Sequence, residues 1–80
     1  MLPKLEWLDH NLLRIDVDNW TVWFSYETPV AFKVEEGPLV VHDNEWSRTT
    51  ARHINMIDAG AGKRVGPEEF ECLYYRAMLE

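Results

Sequence analysis

Alternation of apolar and polar residues runs through the first half of the chain and breaks only at short turns. In Asn11–Val17, Leu13, Ile15 and Val17 share one face while Leu12, Arg14 and Asp16 take the other, the period-two pattern of a half-buried strand. Asp18-Asn19 interrupts it with two residues that tolerate positive φ and suit a tight hairpin turn. The next run places Trp20, Val22, Phe24 and Tyr26 on one face and Thr21, Trp23 and Ser25 opposite. Glu27-Thr28-Pro29 closes it, because proline donates nothing to a strand ladder. Val30, Phe32 and Val34 then alternate with Ala31, Lys33 and Glu35, Glu36-Gly37-Pro38 turns the chain, and Leu39–His42 forms a short last strand. These segments predict strands near 11–17, 20–27, 30–36 and 39–42, joined as an antiparallel meander.

The second half changes period. Thr50, His53, Ile54 and Ile57 recur at helical spacing, with Thr49 before them as the expected N-cap, which predicts a helix over 49–58. Ala59-Gly60-Ala61-Gly62 stops it and reads as a flexible loop, carrying on into Lys63 and Arg64. A second helix is predicted over 66–79. Gly66 is its cap, Pro67 its first residue, Glu68, Glu69 and Glu71 lie at its positive end, and Phe70, Leu73, Tyr74, Ala77 and Met78 form its apolar stripe. The N-terminal PKLEWLDH fits either a helical turn or an added edge strand, and the pattern does not choose. The fold class is therefore α+β: a four-stranded antiparallel meander packed on one face by two helices, with Phe24, Phe32, Ile54, Phe70, Leu73 and Tyr74 buried together.

Eighty residues make one domain. A chain this short buries only about 60–65% of its unfolded surface; its four Trp, three Tyr and three Phe compensate. One cysteine excludes an internal disulfide and, without an apolar leader or membrane-length segment, favours a cytoplasmic setting. Cys72, between Glu71 and Leu73 in the last helix, is expected to be buried and inert. The three histidines, Asp43 and Cys72 match no zinc spacing, so neither a metal nor another cofactor is expected, and no residues stand out as catalytic.

Charge is uneven. The net charge is −6, and residues 1–45 hold three basic side chains against nine acidic ones, while residues 46–80 balance. An acidic sheet half disfavours nucleic acid, whose affinity rests on phosphate contacts, and suits a basic protein surface. The candidate partner-binding residues are Asp16, Asp18, Glu27, Glu35, Glu36, Asp43 and Glu45, with the aromatics Trp23 and Trp46 and with Arg48 and Arg52 at the first helix. Trp23 faces away from Trp20 and Phe24, so it is either an outward interaction surface or a residue covered by the N-terminal segment with Trp7. Thr49, Thr50 and His53 admit an anion or partner site beside Arg48 and Arg52. The favoured alternative is structural: a capped helix whose histidine fills the sheet–helix seam and bonds a threonine hydroxyl. Arg48, Arg52, Lys63 and Arg64 would share one basic edge beside Trp46 if the loop folds back.

The run FSYETPVAF (Phe24–Phe32), a short VV strand, WSRTTARH (Trp46–His53) and a final helix led by EEF resemble a small domain that recurs in phages and other mobile elements, over roughly residues 11–79. That resemblance implies a genomic setting rather than an activity. In size, charge and lack of a catalytic motif the chain is also similar to phage proteins that block host defence, including anti-CRISPR proteins. The expected function is a non-enzymatic protein-binding module, most concretely an inhibitor that blocks the nucleic-acid-binding surface of a CRISPR-Cas complex in the host bacterial cytoplasm. Its partner would be a protein or ribonucleoprotein with a basic surface, engaged by a monomer or homodimer and away from any membrane. The alternative is a small nucleic-acid-binding or regulatory protein using the basic edge.

Overall fold

The computed structural model describes residues 3–43, 48–58, 60 and 62–79. Six strands and two helices follow one another: β1 (Lys4–Asp9), β2 (Leu12–Val17), β3 (Trp20–Ser25), β4 (Thr28–Val34), β5 (Leu39–His42), α1 (Arg48–Ile57), β6 (Lys63–Val65) and α2 (Pro67–Leu79). The strands form one sheet in sequence order, β1 to β5 antiparallel and β6 parallel to β5. The class is α+β, as expected, but the expected four-stranded meander is the middle of a mixed six-stranded sheet. β1 adds the antiparallel edge that the N-terminal pattern left open. β6 pairs parallel to β5, which requires a crossover of a dozen or more residues, and α1 lies in that crossover.

The two helices cover opposite faces, not one. Alternate positions on β3–β5 are apolar on both sides, and each side needs its own cover. Val22, Phe32 and Val40 line up across three strands and bury against Val65 and Phe70, with Leu73 and Tyr74 packed beside them. Trp23, Ala31 and Val41 form the adjacent row, and Ala31 and Val41 bury with Val30 and Ile54 under α1. Phe32 and Phe70 are buried in the α2 core as expected, Phe24, Leu73 and Tyr74 pack half-buried against it, and Ile54 belongs to the other core. β6 ties both layers together through its alternation: Lys63 meets Glu69 of α2, Arg64 meets Asp58 after α1, and Val65 enters the α2 core.

Three local expectations fail. Pro29 lies inside β4 rather than before it, because the β3–β4 register shifts between Trp23 and Phe24 and the bulge excuses the missing donor. The extra residue moves Val30 onto the same core as Ala31, away from Phe32. Thr49 is within the first turn of α1, which starts at Arg48, so it is not the cap. Gly66 and Pro67 open α2 as expected, with the Phe70 amide donating to the Gly66 carbonyl at 2.9 Å. The segment read as a flexible loop is anchored: Asp58 Oδ1 accepts from the amides of Gly60 and Gly62 at 2.8 and 2.9 Å. A Cβ at Gly62 would stand 2.8 Å from Val41 Cγ2, so only glycine passes there.

Candidate functional site

A meander brings every second turn to the same end of its sheet. The β2–β3 and β4–β5 turns therefore meet, joined by the Glu35 amide donating to the Asn19 carbonyl at 2.6 Å. Asp16, Asp18, Glu35 and Glu36 gather here around a shallow cavity of about 240 Å³ that Trp20, Thr21 and Lys33 also line. Asp16 is the structured member. The Thr21 hydroxyl donates to it at 2.5 Å and Arg14 pairs with it at 3.1 Å. The Thr21 bond, with Arg14 adding to it, outweighs the desolvation that acts the other way and holds its carboxyl below the ordinary aspartate range. Asp18, Glu35 and Glu36 are exposed and take part in no ion pair among the described residues.

The remaining candidates do not join this end. Glu27 sits in the β3–β4 turn and Asp43 follows β5, both at the far end of the strands. Trp23 is half-buried on the α1 face, packed on the core of Val30, Ala31, Val41 and Ile54, with the Arg14 guanidinium 5.7 Å from its ring centre. It is not covered by Trp7, whose register partner Leu13 places it on the opposite face. Arg48 is exposed at the start of α1. Glu45 and Trp46 lie outside the described residues.

The expected basic edge is largely paired off by carboxylates, although Arg64 does reach Asn55 on α1 at 3.1 Å. Arg52 pairs with Asp9 on β1 at 2.9 Å, whereas Lys63 and Arg64 belong to β6, and β1 and β6 are the two opposite edges of the sheet. Arg64 pairs with Asp58 at 3.0 Å and Lys63 with Glu69 at 3.7 Å, so three of the four cations are matched by carboxylates. Cys72 is exposed, not buried, because α2 presents it away from the sheet.

His53 occupies the seam between α1 and the sheet, fully buried, as the structural reading expected, but with a different partner. Its Nδ1 hydrogen-bonds the Ser25 hydroxyl at 2.7 Å, and Ser25 in turn reaches the Thr50 hydroxyl at 3.3 Å. Its Nε2 has no hydrogen-bond partner among the described residues and stands 4.0 Å from Asp9 Oδ2. Serine, histidine and aspartate stand near one another here, but Ser25 is 2% exposed and His53 0%, so both side chains are enclosed between α1 and the sheet. The group is a polar rivet between α1 and β3. Ser25→Ala leaves the buried Nδ1 unpaired and is expected to cost about 1–3 kcal/mol, measured by urea unfolding.

Sequence reasoning also missed an apolar surface. Leu5 and Trp7 on β1 are 62% and 67% exposed, on the same sheet face as α2 but beyond the strands α2 covers. Their alternation with Lys4 and Glu6 was the available signal.

Among the described residues no three His, Cys, Asp or Glu gather as a metal site, and no helix is long and apolar enough to cross a membrane. Fold and surface define a small α+β domain, a six-stranded mixed sheet between two helices with an acidic end. Residues 5–71 match the model of a family of unknown function (DUF8033), and the chain belongs to that family. The match takes in nearly all of β1 and reaches into α2. No curated protein and no solved structure matches the chain.

Proposed function

We propose that this protein is a non-enzymatic binding module whose acidic end docks on a basic protein surface. The observation that carries this reading is the meeting of Asp16, Asp18, Glu35 and Glu36 at one end of the sheet, three of them without ion-pair partners among the described residues. Carboxylates without ion-pair partners among the described residues, held on short hairpin turns, steer a basic partner and fix its register. In its most concrete form the partner is a host defence complex of CRISPR-Cas type in the bacterial cytoplasm, and the carboxylates occupy the surface meant for nucleic-acid phosphates. Pairing of Arg52, Lys63 and Arg64 with Asp9, Glu69 and Asp58 disfavours the alternative, direct nucleic-acid binding by a basic edge.

Affinity capture from a bacterial lysate tests this, with the wild type beside the triple variant Asp16→Lys, Glu35→Lys, Glu36→Lys. A basic, nucleic-acid-binding protein should be retained by the wild type, released as salt rises, and lost by the variant. The Glu35 and Glu36 substitutions should leave folding within about 0.5 kcal/mol each. Equal capture by the variant, or a clear gel shift of the wild type with random DNA or RNA at micromolar concentration, would overturn the reading.

A further inference from the structure

The two free edges of the sheet are built differently. β6 is three residues long and presents the exposed cations Lys63 and Arg64. Short length and charge are the usual defences of an edge against pairing with another chain. β1 lacks the first of these. It runs six residues, and no strand among the described residues pairs with its outer side. One face of β1 carries the exposed Leu5 and Trp7, and the other carries Lys4 and Glu6.

We infer that β1 pairs antiparallel with β1 of a second copy, about a two-fold axis at Leu5, so that two six-stranded sheets become one. Residues directly opposite in such a pair share a sheet face, so a register that keeps Leu5 and Trp7 on the apolar side must oppose odd with odd and even with even numbers. With Leu5 opposite Leu5, Lys4 of each copy stands opposite Glu6 of the other, twice over, and Trp7 stands opposite Pro3. Moving to the next permitted register on one side opposes Glu6 with Glu6, and on the other Lys4 with Lys4. Opposite charges across strands stabilise and like charges destabilise, so the edge sequence is self-complementary in one register and self-repelling in its neighbours. The bulge between Trp7 and Asp9 and the missing amide of Pro3 confine the pairing stretch to Lys4–Glu6 of each copy, with Trp7 lying over Pro3 at its two ends. The antiparallel axis also points the two acidic ends in opposite directions, which limits repulsion between chains of net charge −6. This association uses a surface separate from the acidic end and does not depend on its role.

Sedimentation equilibrium over micromolar to millimolar concentrations tests it. Wild type should form a reversible dimer. Lys4→Glu alone opposes two pairs of acids and Glu6→Lys alone two pairs of bases, and each should weaken the dimer roughly tenfold or more. An equimolar mixture of the two variants should associate again, because every cross-axis pair is then opposite in sign. Restoration on mixing separates the interface from the loss of the intrachain neighbours Asp16 and Arg14, which each variant suffers whether mixed or not. A wild type monomeric throughout, single variants that dimerise as well as wild type, a mixture that stays monomeric, or oligomers that lengthen with concentration through β1 against β6 would each overturn the inference.

Discussion

Phe70→Ala is expected to remove about 3–5 kcal/mol of stability, the largest effect of any single side chain here. Phe70 is 3% exposed and holds α2 on the sheet. Its ring meets Phe32 edge-on at 5.5 Å, stacks with Tyr74 at 5.9 Å and lies 5.0 Å from His42. Truncation empties the centre of the α2 core, and the close-packed sheet beneath it cannot collapse into the space. A domain of this size has roughly 4–12 kcal/mol in total, so the variant should be largely unfolded near body temperature. Circular dichroism on heating checks this; a wild-type-like melt would mean that α2 is not packed as described.

Asp58→Ala should have the second largest effect, about 2–4 kcal/mol by urea unfolding, because it strands three donors at once. Asp58 is 7% exposed and accepts from the Gly60 and Gly62 amides and from Arg64 Nε. Without it, neither the approach to β6 nor the parallel pairing of β6 with β5 is held. Asp58→Asn keeps an acceptor for the glycine amides and loses only the charge toward Arg64, so it should cost less than the alanine. The Gly62 amide first, then Arg64 and the Gly60 amide, holds the Asp58 carboxyl below the ordinary value of 3.8. A depressed carboxylate stabilises the fold above its unfolded pKa and loses that contribution as pH falls through the folded value. Wild type should therefore weaken below about pH 4, and the gap between wild type and Asp58→Asn should narrow there. A gap independent of pH would contradict the assignment.

What was legible in the sequence follows from how local each signal is. β2, β3, β5 and α2 carry their period within themselves and end on turn residues or Gly-Pro, so pattern alone places them. β6 carries none: Lys63-Arg64-Val65 is too short to show alternation, and it becomes a strand through pairing with β5 and through Asp58. The opposed helices depend on that missed strand, since a helix crossing from β5 to a parallel neighbour takes one face and leaves the other to α2. Val30 changed sides because a bulge shifts the count by one, which alternation cannot reveal. Tyr26, counted as strand, turns at φ +60°, its amide donating to the Asn11 carbonyl at 2.7 Å, a tertiary contact between two hairpin turns. At the candidate site, the acidic residues were correctly read as turn and outward positions. That Asp16, Asp18, Glu35 and Glu36 meet while Glu27 and Asp43 do not was implicit in the meander, whose turns alternate between ends. The Ser25–His53 bond was not, because it joins β3 to α1 across 28 residues.

The most direct measurement is an amide NMR titration of the isotope-labelled protein with the captured basic partner. The acidic-end account predicts that resonances of residues 16–21 and 33–36 shift or broaden first, and less so at high salt. Perturbation centred instead on Arg48, Arg52 and the rest of α1, with the acidic end unmoved, would contradict it.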